Sequence, residues 1–175
     1  MRLFGLALAG ALWASAAFAD SGTVDDARLL GANADPANWV TYGRDYSNQR
    51  FSTLRSIDAA NVGTLAPRWL YQSGVTGTFQ ATPLVVDGTM YLSLPFNHVV
   101  ALDARTGREL WRYTHKRRTQ TMCCGPANRG VAIAYGKVFM ATVDARLVAL
   151  DQKTGRLVWD APLVENASSA TERAD

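Results

Sequence analysis

The chain has 175 residues, of which 19% are charged and 48% hydrophobic, and its 18 basic against 15 acidic residues leave a formal charge of +3. That near balance excludes a polybasic nucleic-acid binder, and the apolar content excludes an intrinsically disordered chain. Its two cysteines are adjacent and its two histidines distant, which excludes a recognisable zinc-ligand spacing and a C-x-x-C-H haem-attachment motif.

The chain opens with one positive charge, Arg2, followed by an apolar run and then Ala17-Phe18-Ala19 ahead of Asp20. This is the layout of a secretory signal peptide with an A-x-A site, and it predicts cleavage after Ala19 and export. A membrane-anchoring helix fits less well, because the run is short and ends in small residues without a basic flank. Removal of residues 1–19 leaves 17 basic and 15 acidic residues, a charge of +2.

Residues 20–73 read as a helical or irregular segment. Val24 to Leu30 and Asp58 to Leu65 are predicted as short helices, the second capped by Asp58. Trp39 to Gly43 and Asn48 to Ser52 read as loop or short extended pieces. Arg68-Trp69-Leu70-Tyr71 is a candidate strand, expected to close a ring of repeats with strands from outside this chain.

From there the sequence repeats. Ala101-Leu102-Asp103-Ala104-Arg105-Thr106-Gly107-Arg108-Glu109-Leu110-Trp111 recurs 48 residues later as Ala149-Leu150-Asp151-Gln152-Lys153-Thr154-Gly155-Arg156-Leu157-Val158-Trp159. Short aliphatic and β-branched runs, His98 to Leu102 and Arg146 to Leu150, predict strands. Each is followed by Asp-x-x-Thr-Gly, where the Asp side chain can accept bonds from the turn's N–H groups and Gly can take positive φ. The chain then returns through a strand carrying Trp111 or Trp159. Two further strands precede each motif: Thr82 to Val86 and Thr89 to Leu94 about the Asp87-Gly88 turn, then Gly130 to Tyr135 and Lys137 to Val143 about Gly136. Four antiparallel strands in about 45–50 residues is the size of a propeller blade. The predicted class is therefore all-β, with blade 1 over 74–120, blade 2 over 121–163 and the start of a further blade over 164–175. A β-sandwich with similar hairpins is the competing architecture, and the register-true Trp argues against it.

Between the blades lies Thr121-Met122-Cys123-Cys124-Gly125-Pro126-Ala127-Asn128-Arg129-Gly130. Loops that cross between blades gather at one rim, where sites are commonly built. Adjacent Cα atoms sit about 3.8 Å apart, under the usual disulfide span of about 4.4–6.8 Å, so a bond between Cys123 and Cys124 would be strained. On the residues alone, a strained bridge that serves a site and a pair of reduced, buried thiols both remain open.

These features together resemble the quinoprotein alcohol dehydrogenase family, whose members depend on pyrroloquinoline quinone (PQQ). The resemblance is carried by the Trp39-to-Arg50 stretch (W-x-x-Y-G-R-D-x-x-x-x-R), by Ala81 to Gly88, by Asn97 to Asp103 and by Cys123 to Gly130. The Trp repeat is shared with non-catalytic relatives, and the Cys pair followed by Arg129 is the more specific element. Membrane glucose dehydrogenases of the wider group lack the pair, which favours the alcohol branch.

The resemblance implies an eight-bladed β-propeller with Trp-docking repeats, of which this chain is the N-terminal portion. It implies a Cys123–Cys124 disulfide on which PQQ lies flat, with Arg129 bonding the quinone. Gln80, which stands where many members have Glu, would reach the cofactor as an uncharged hydrogen-bonding group. It further implies a calcium ion, or a lanthanide in its place, a catalytic Asp and most PQQ contacts, all beyond residue 175, so that no catalytic or metal-binding residue is expected in this chain and the chain alone is expected to be inactive. Alcohol is the implied substrate and cytochrome c the electron acceptor, in the periplasm, with peripheral membrane association of the full protein left open. His98, His115 and the Lys116-Arg117-Arg118 run are expected to have no ligand role. The alternative is a non-catalytic periplasmic propeller, either a scaffold or a sensor. Scaffold lipoproteins of that kind carry Cys at the cleavage point, where this chain has Asp20.

Overall fold

The computed structural model describes residues 23–118 and 125–164. The predicted signal peptide over 1–19, Cys123 and Cys124, and all but the first residue of the predicted further blade over 164–175 lie outside these residues. Two four-stranded antiparallel sheets carry the fold, each a meander in which strands neighbour one another in chain order. Blade 1 comprises β1 (Leu84–Val86), β2 (Thr89–Leu94), β3 (His98–Asp103) and β4 (Glu109–Thr114). Blade 2 comprises β5 (Ala132–Ala134), β6 (Lys137–Ala141), β7 (Arg146–Asp151) and β8 (Leu157–Pro162).

The opening hairpin of each blade turns on two residues with positive φ, Asp87 (49°) with Gly88 (77°) and Tyr135 (48°) with Gly136 (70°). Two-residue turns of this hand match the right-handed twist of the strands they join. The later Asp-x-x-Thr-Gly turns are built alike. Asp103 Oδ1 accepts the N–H groups of Arg105 (3.0 Å) and Thr106 (2.9 Å). Asp151 Oδ1 accepts the N–H (2.8 Å) and hydroxyl (2.7 Å) of Thr154. These contacts, led by the Thr106 and Thr154 side chains, hold both carboxyls below the usual carboxylate range.

The repeat extends to its irregularities. Ala101 faces Trp111 while Leu102 faces Glu109, and Ala149 faces Trp159 while Leu150 faces Leu157. Leu110 and Val158 are thus the extra residues of two equivalent β-bulges, each immediately before the repeated Trp. Tyr91 packs on Trp111 and Phe139 on Trp159, both at 5.9 Å between ring centroids.

The third strand of blade 1 is buried on both faces. Val99 and Ala101 join a cluster shared with blade 2 through Val138, Met140 and Val148. Val100 and Leu102 face the other way, against Trp69, Tyr71 and Val75. At the predicted strand Arg68–Tyr71 the chain forms no sheet pairing among the described residues, yet it covers this second face. Trp69 lies over Gly107 and donates its Nε1–H to Ala104 O (3.2 Å), as Trp111 lies over Gly155 and donates to Gln152 O (3.1 Å).

The N-terminal segment straps the two blades together. The predicted helix at Val24 to Leu30 is present as α1 (Asp26–Leu30), capped by Asp25, whose side chain accepts the Arg28 N–H. Arg28 makes a two-pronged contact with Asp87 (2.9 and 2.6 Å) in the first turn of blade 1. Val24 O accepts the Tyr135 N–H (2.8 Å) and Asp26 accepts the Tyr135 hydroxyl (2.7 Å) in the first turn of blade 2. Trp39 then bridges to Val85 at the edge of blade 1.

The predicted helix over Asp58 to Leu65 is corrected to one short 3-10 turn, Val62–Thr64. The Asp58 side chain does accept the N–H groups of Ala60 and Asn61, but Asn61 bonds back to Asp58 N and Ser56 O. Those side-chain bonds, with Gly63 between two β-branched residues, favour the turn over a helix.

Candidate functional site

Four segments meet in a cleft of about 500 Å³ between the blades: the N-terminal segment at Tyr42, the approach to β1, the loop 127–131 and the β6–β7 turn. Its walls include Tyr42, Thr82, Asn128, Arg129 and Thr142. The Thr82 N–H donates to Arg129 O (3.4 Å). Gly130 is held at φ 142°, a conformation that suits glycine.

Asn128 fixes the backbone on either side of Arg129. Its Oδ1 accepts the Gly130 N–H (3.1 Å), and its Nδ2 donates to Ala141 O at the end of β6 (3.0 Å). Its carbonyl lies 3.4 Å from the Ser93 hydroxyl of blade 1. The loop is tied further back by a bond from the Phe96 N–H to Pro126 O (2.8 Å). Arg129 itself is exposed, on a backbone held by both blades.

The structure therefore brings Arg129 beside the Ala81-Thr82 stretch. Gln80, two residues before Thr82, is exposed and is not part of the cleft wall. Cys123 and Cys124 lie outside the described residues, just before the loop that carries Arg129. Among the described residues, no three His, Cys, Asp or Glu side chains converge to hold a metal ion.

Sequence reading missed the second layer of the site. His115, at the exit of β4, points its Nε2 at both carboxylate oxygens of Asp144 in the β6–β7 turn (3.0 and 3.2 Å), and the two side chains are only 2% and 3% exposed. The Tyr113 hydroxyl lies 3.4 Å from His115 Nδ1. Asp144 also accepts the Arg118 N–H (3.0 Å). Burial would push the Asp144 carboxyl up, but its contacts with Thr142, the Arg118 N–H and His115 prevail and bring it down to about 2. The pair spans 29 residues of chain, and no local motif announces it. Next to this pair, the Arg117 guanidinium lies 5.2 Å from the Phe96 ring centroid.

A family model described as PQQ: glucose/ethanol/alcohol dehydrogenase, beta-propeller domain, matches residues 39–160. The chain is 45% identical over 139 residues to quinohemoprotein alcohol dehydrogenase ADH-IIG of Pseudomonas putida, covering 78% of this chain and 19% of that protein. It is 42% identical over 151 residues to the dehydrogenase subunit of an alcohol dehydrogenase (quinone) of Gluconacetobacter polyoxogenes, covering 84% of this chain and 20% of that protein. The solved structure of ADHIIG from Pseudomonas putida HK5 superposes with a TM-score of 0.76 at 42% identity, over 82% of this chain and 22% of that one. A europium-containing methanol dehydrogenase superposes with a TM-score of 0.74 at 35% identity, over 80% of this chain and 25% of that one. The chain thus spans about a fifth of the length of the curated relatives it matches. The match over residues 39–160 and the two meander sheets lead to one assignment: the chain belongs to the PQQ-dependent, or quinoprotein, alcohol dehydrogenase family.

Proposed function

We propose that this chain forms part of a periplasmic PQQ- and calcium-dependent alcohol dehydrogenase, and that its share of the work is to build one side of the cofactor site. The observation that carries the reading is the cleft in which Arg129, held by both blades through Asn128, stands beside Thr82.

The residues present fit the cofactor. PQQ is a flat, anionic heteroaromatic, and the cleft offers it an arginine and a threonine hydroxyl within a volume usual for small-molecule sites. When bound, PQQ supplies the two-electron redox chemistry that the side chains lack. Arg129 would bind and orient its oxygens, and would stabilise negative charge that develops on them. Thr82 would add a neutral hydrogen bond, and Gln80, an amide in place of a carboxylate, would add another without charge repulsion. Cys123 and Cys124, joined as a disulfide, would give the ring a rigid surface.

The calcium ligands, or those for a lanthanide, and the base that takes the alcohol proton are assigned to the remainder of the protein. The electron acceptor is proposed to be a cytochrome. One curated relative, from Thauera butanivorans, is named 1-butanol dehydrogenase (cytochrome c), and it is 42% identical over 125 residues. The two sheets are read as two blades of an eight-bladed ring with Trp docking. Trp69 covers the blade 1 turn in the same way that Trp111 covers the blade 2 turn, which supports placing Arg68–Tyr71 as an outer strand before blade 1.

The test is alcohol-dependent dye reduction by the full-length protein supplied with PQQ and calcium. Activity that requires both is the expected result, with none from residues 20–175 alone. Full-length protein that binds no PQQ and oxidises no alcohol would favour the non-catalytic scaffold or sensor.

A further inference from the structure

The β6–β7 turn contributes Thr142 and Val143 to the lining of the cleft that also holds Arg129. Asp144 belongs to that turn, but its side chain faces into the protein against His115 of blade 1. Ala145, next in the turn, has a positive φ of 55°, a strained value for a residue with a Cβ, which persists only when its surroundings hold it. Bonds between Thr142 and Arg146 close the turn locally: the Arg146 N–H donates to Thr142 Oγ1 (3.1 Å) and the Thr142 N–H to Arg146 O (2.9 Å). Among the described residues, His115 and the Arg118 N–H, both from the exit of β4, tie Asp144 of this turn to the other blade. A buried carboxylate gains strength from donors in low dielectric, and loss of one donor leaves its charge under-satisfied.

We propose that His115 and Asp144 are a positioning pair that locks the exit of β4 to the β6–β7 turn, so that the wall carrying Thr142 and Val143 stays in register with Asn128 and Arg129 and the cleft keeps its affinity for PQQ. This rests on the PQQ reading above. Neither residue touches the cofactor in this account. The pair acts by holding the β6–β7 turn of blade 2, which carries Thr142 and Val143, against the segment that leaves blade 1 at β4. His115 is suited to the task because one ring nitrogen donates to Asp144 while the other lies within reach of the Tyr113 hydroxyl, so the ring is held from both sides.

Two measurements on the full-length apoprotein separate positioning from general stability. In the first, PQQ is titrated in by absorbance against wild type, His115→Leu and His115→Gln. Loss of an outer supporting contact typically weakens a site by about 10–100-fold, so His115→Leu is expected to raise the Kd at least about ten-fold, and His115→Gln, which keeps an N–H donor, to recover most of it. In the second, amide exchange without PQQ is expected to quicken at Arg118 and across residues 141–146 in His115→Leu, with β2 and β3 as protected as in wild type. Asp144→Asn, which keeps an acceptor for the Arg118 N–H, replaces His115→Leu if that variant does not fold. An unchanged Kd in the variant overturns the proposal, as does protection lost equally in β2, β3, β6 and β7. Wild type that binds no PQQ defeats the functional reading instead, and the exchange pattern then decides whether the pair locks the turn.

Discussion

Arg129 lines the cleft, Asp144 is buried within a turn whose Thr142 and Val143 line it, and the two illustrate two uses of charge. Arg129 keeps its charge exposed, available to an anionic ligand, while its backbone is fixed by Asn128. Asp144 is buried and satisfied by His115 and the Arg118 N–H from the exit of β4 and by Thr142 of its own turn. The sign of its pH effect follows from the lowered carboxyl at about 2. A depressed carboxyl stabilises the fold above its unfolded pKa of about 3.9, and that contribution fades as pH falls from there toward about 2, amounting to roughly 2 kcal/mol. Urea unfolding is therefore expected to show Asp144→Asn less stable than wild type at pH 7, with the gap narrowing below about pH 4. A gap that is constant from pH 7 to pH 2.5 would remove the charge from the explanation. At Gln80, substitution by Ala is expected to cost no more than a neutral hydrogen bond, about 0.5–1.5 kcal/mol of PQQ binding. A PQQ titration showing a loss as large as that from removing Arg129 would make Gln80 a principal contact.

The repeated turn shows why some elements were legible before the structure and others were not. Asp103 to Gly107 and Asp151 to Gly155 are closed by bonds within five residues, so their identity is written locally. Gly155 is the point at which that local code meets packing: its φ is 69° and a Cβ there would collide with Trp111. Gly155→Ala is expected to lower stability by about 2 kcal/mol or more. Gly63→Ala, where a Cβ meets nothing within 4 Å, serves as the comparison and is expected to be near neutral by urea midpoint. Equal effects at the two sites would refute the Trp111 contact. The helix expected over Asp58 to Leu65 shrank to a turn because Asn61 side-chain bonds compete with helical ones. The bulges at Leu110 and Val158 could not be read from composition, since they concern pairing across strands. His115–Asp144 was hidden for the same reason, joining residues 29 apart on different blades.

At the scale of the whole molecule, the chain spans about a fifth of the length of its relatives, and in the proposed reading it supplies one side of the cofactor site. The strap from Val24 to Trp39 and the Trp111 contact with blade 2 make the two blades one packed body around a shared core. That rigidity is what places an arginine from one loop beside a threonine from another strand's approach. The central claim is that this arginine binds the cofactor, and titration of the full-length apoprotein with PQQ, in calcium and followed by absorbance, tests it most directly. A charge-assisted contact contributes about 1.5–3 kcal/mol, so Arg129→Ala is expected to weaken binding by at least about ten-fold relative to wild type. Equal affinity in the two proteins, with thermal stability unchanged, would contradict the account.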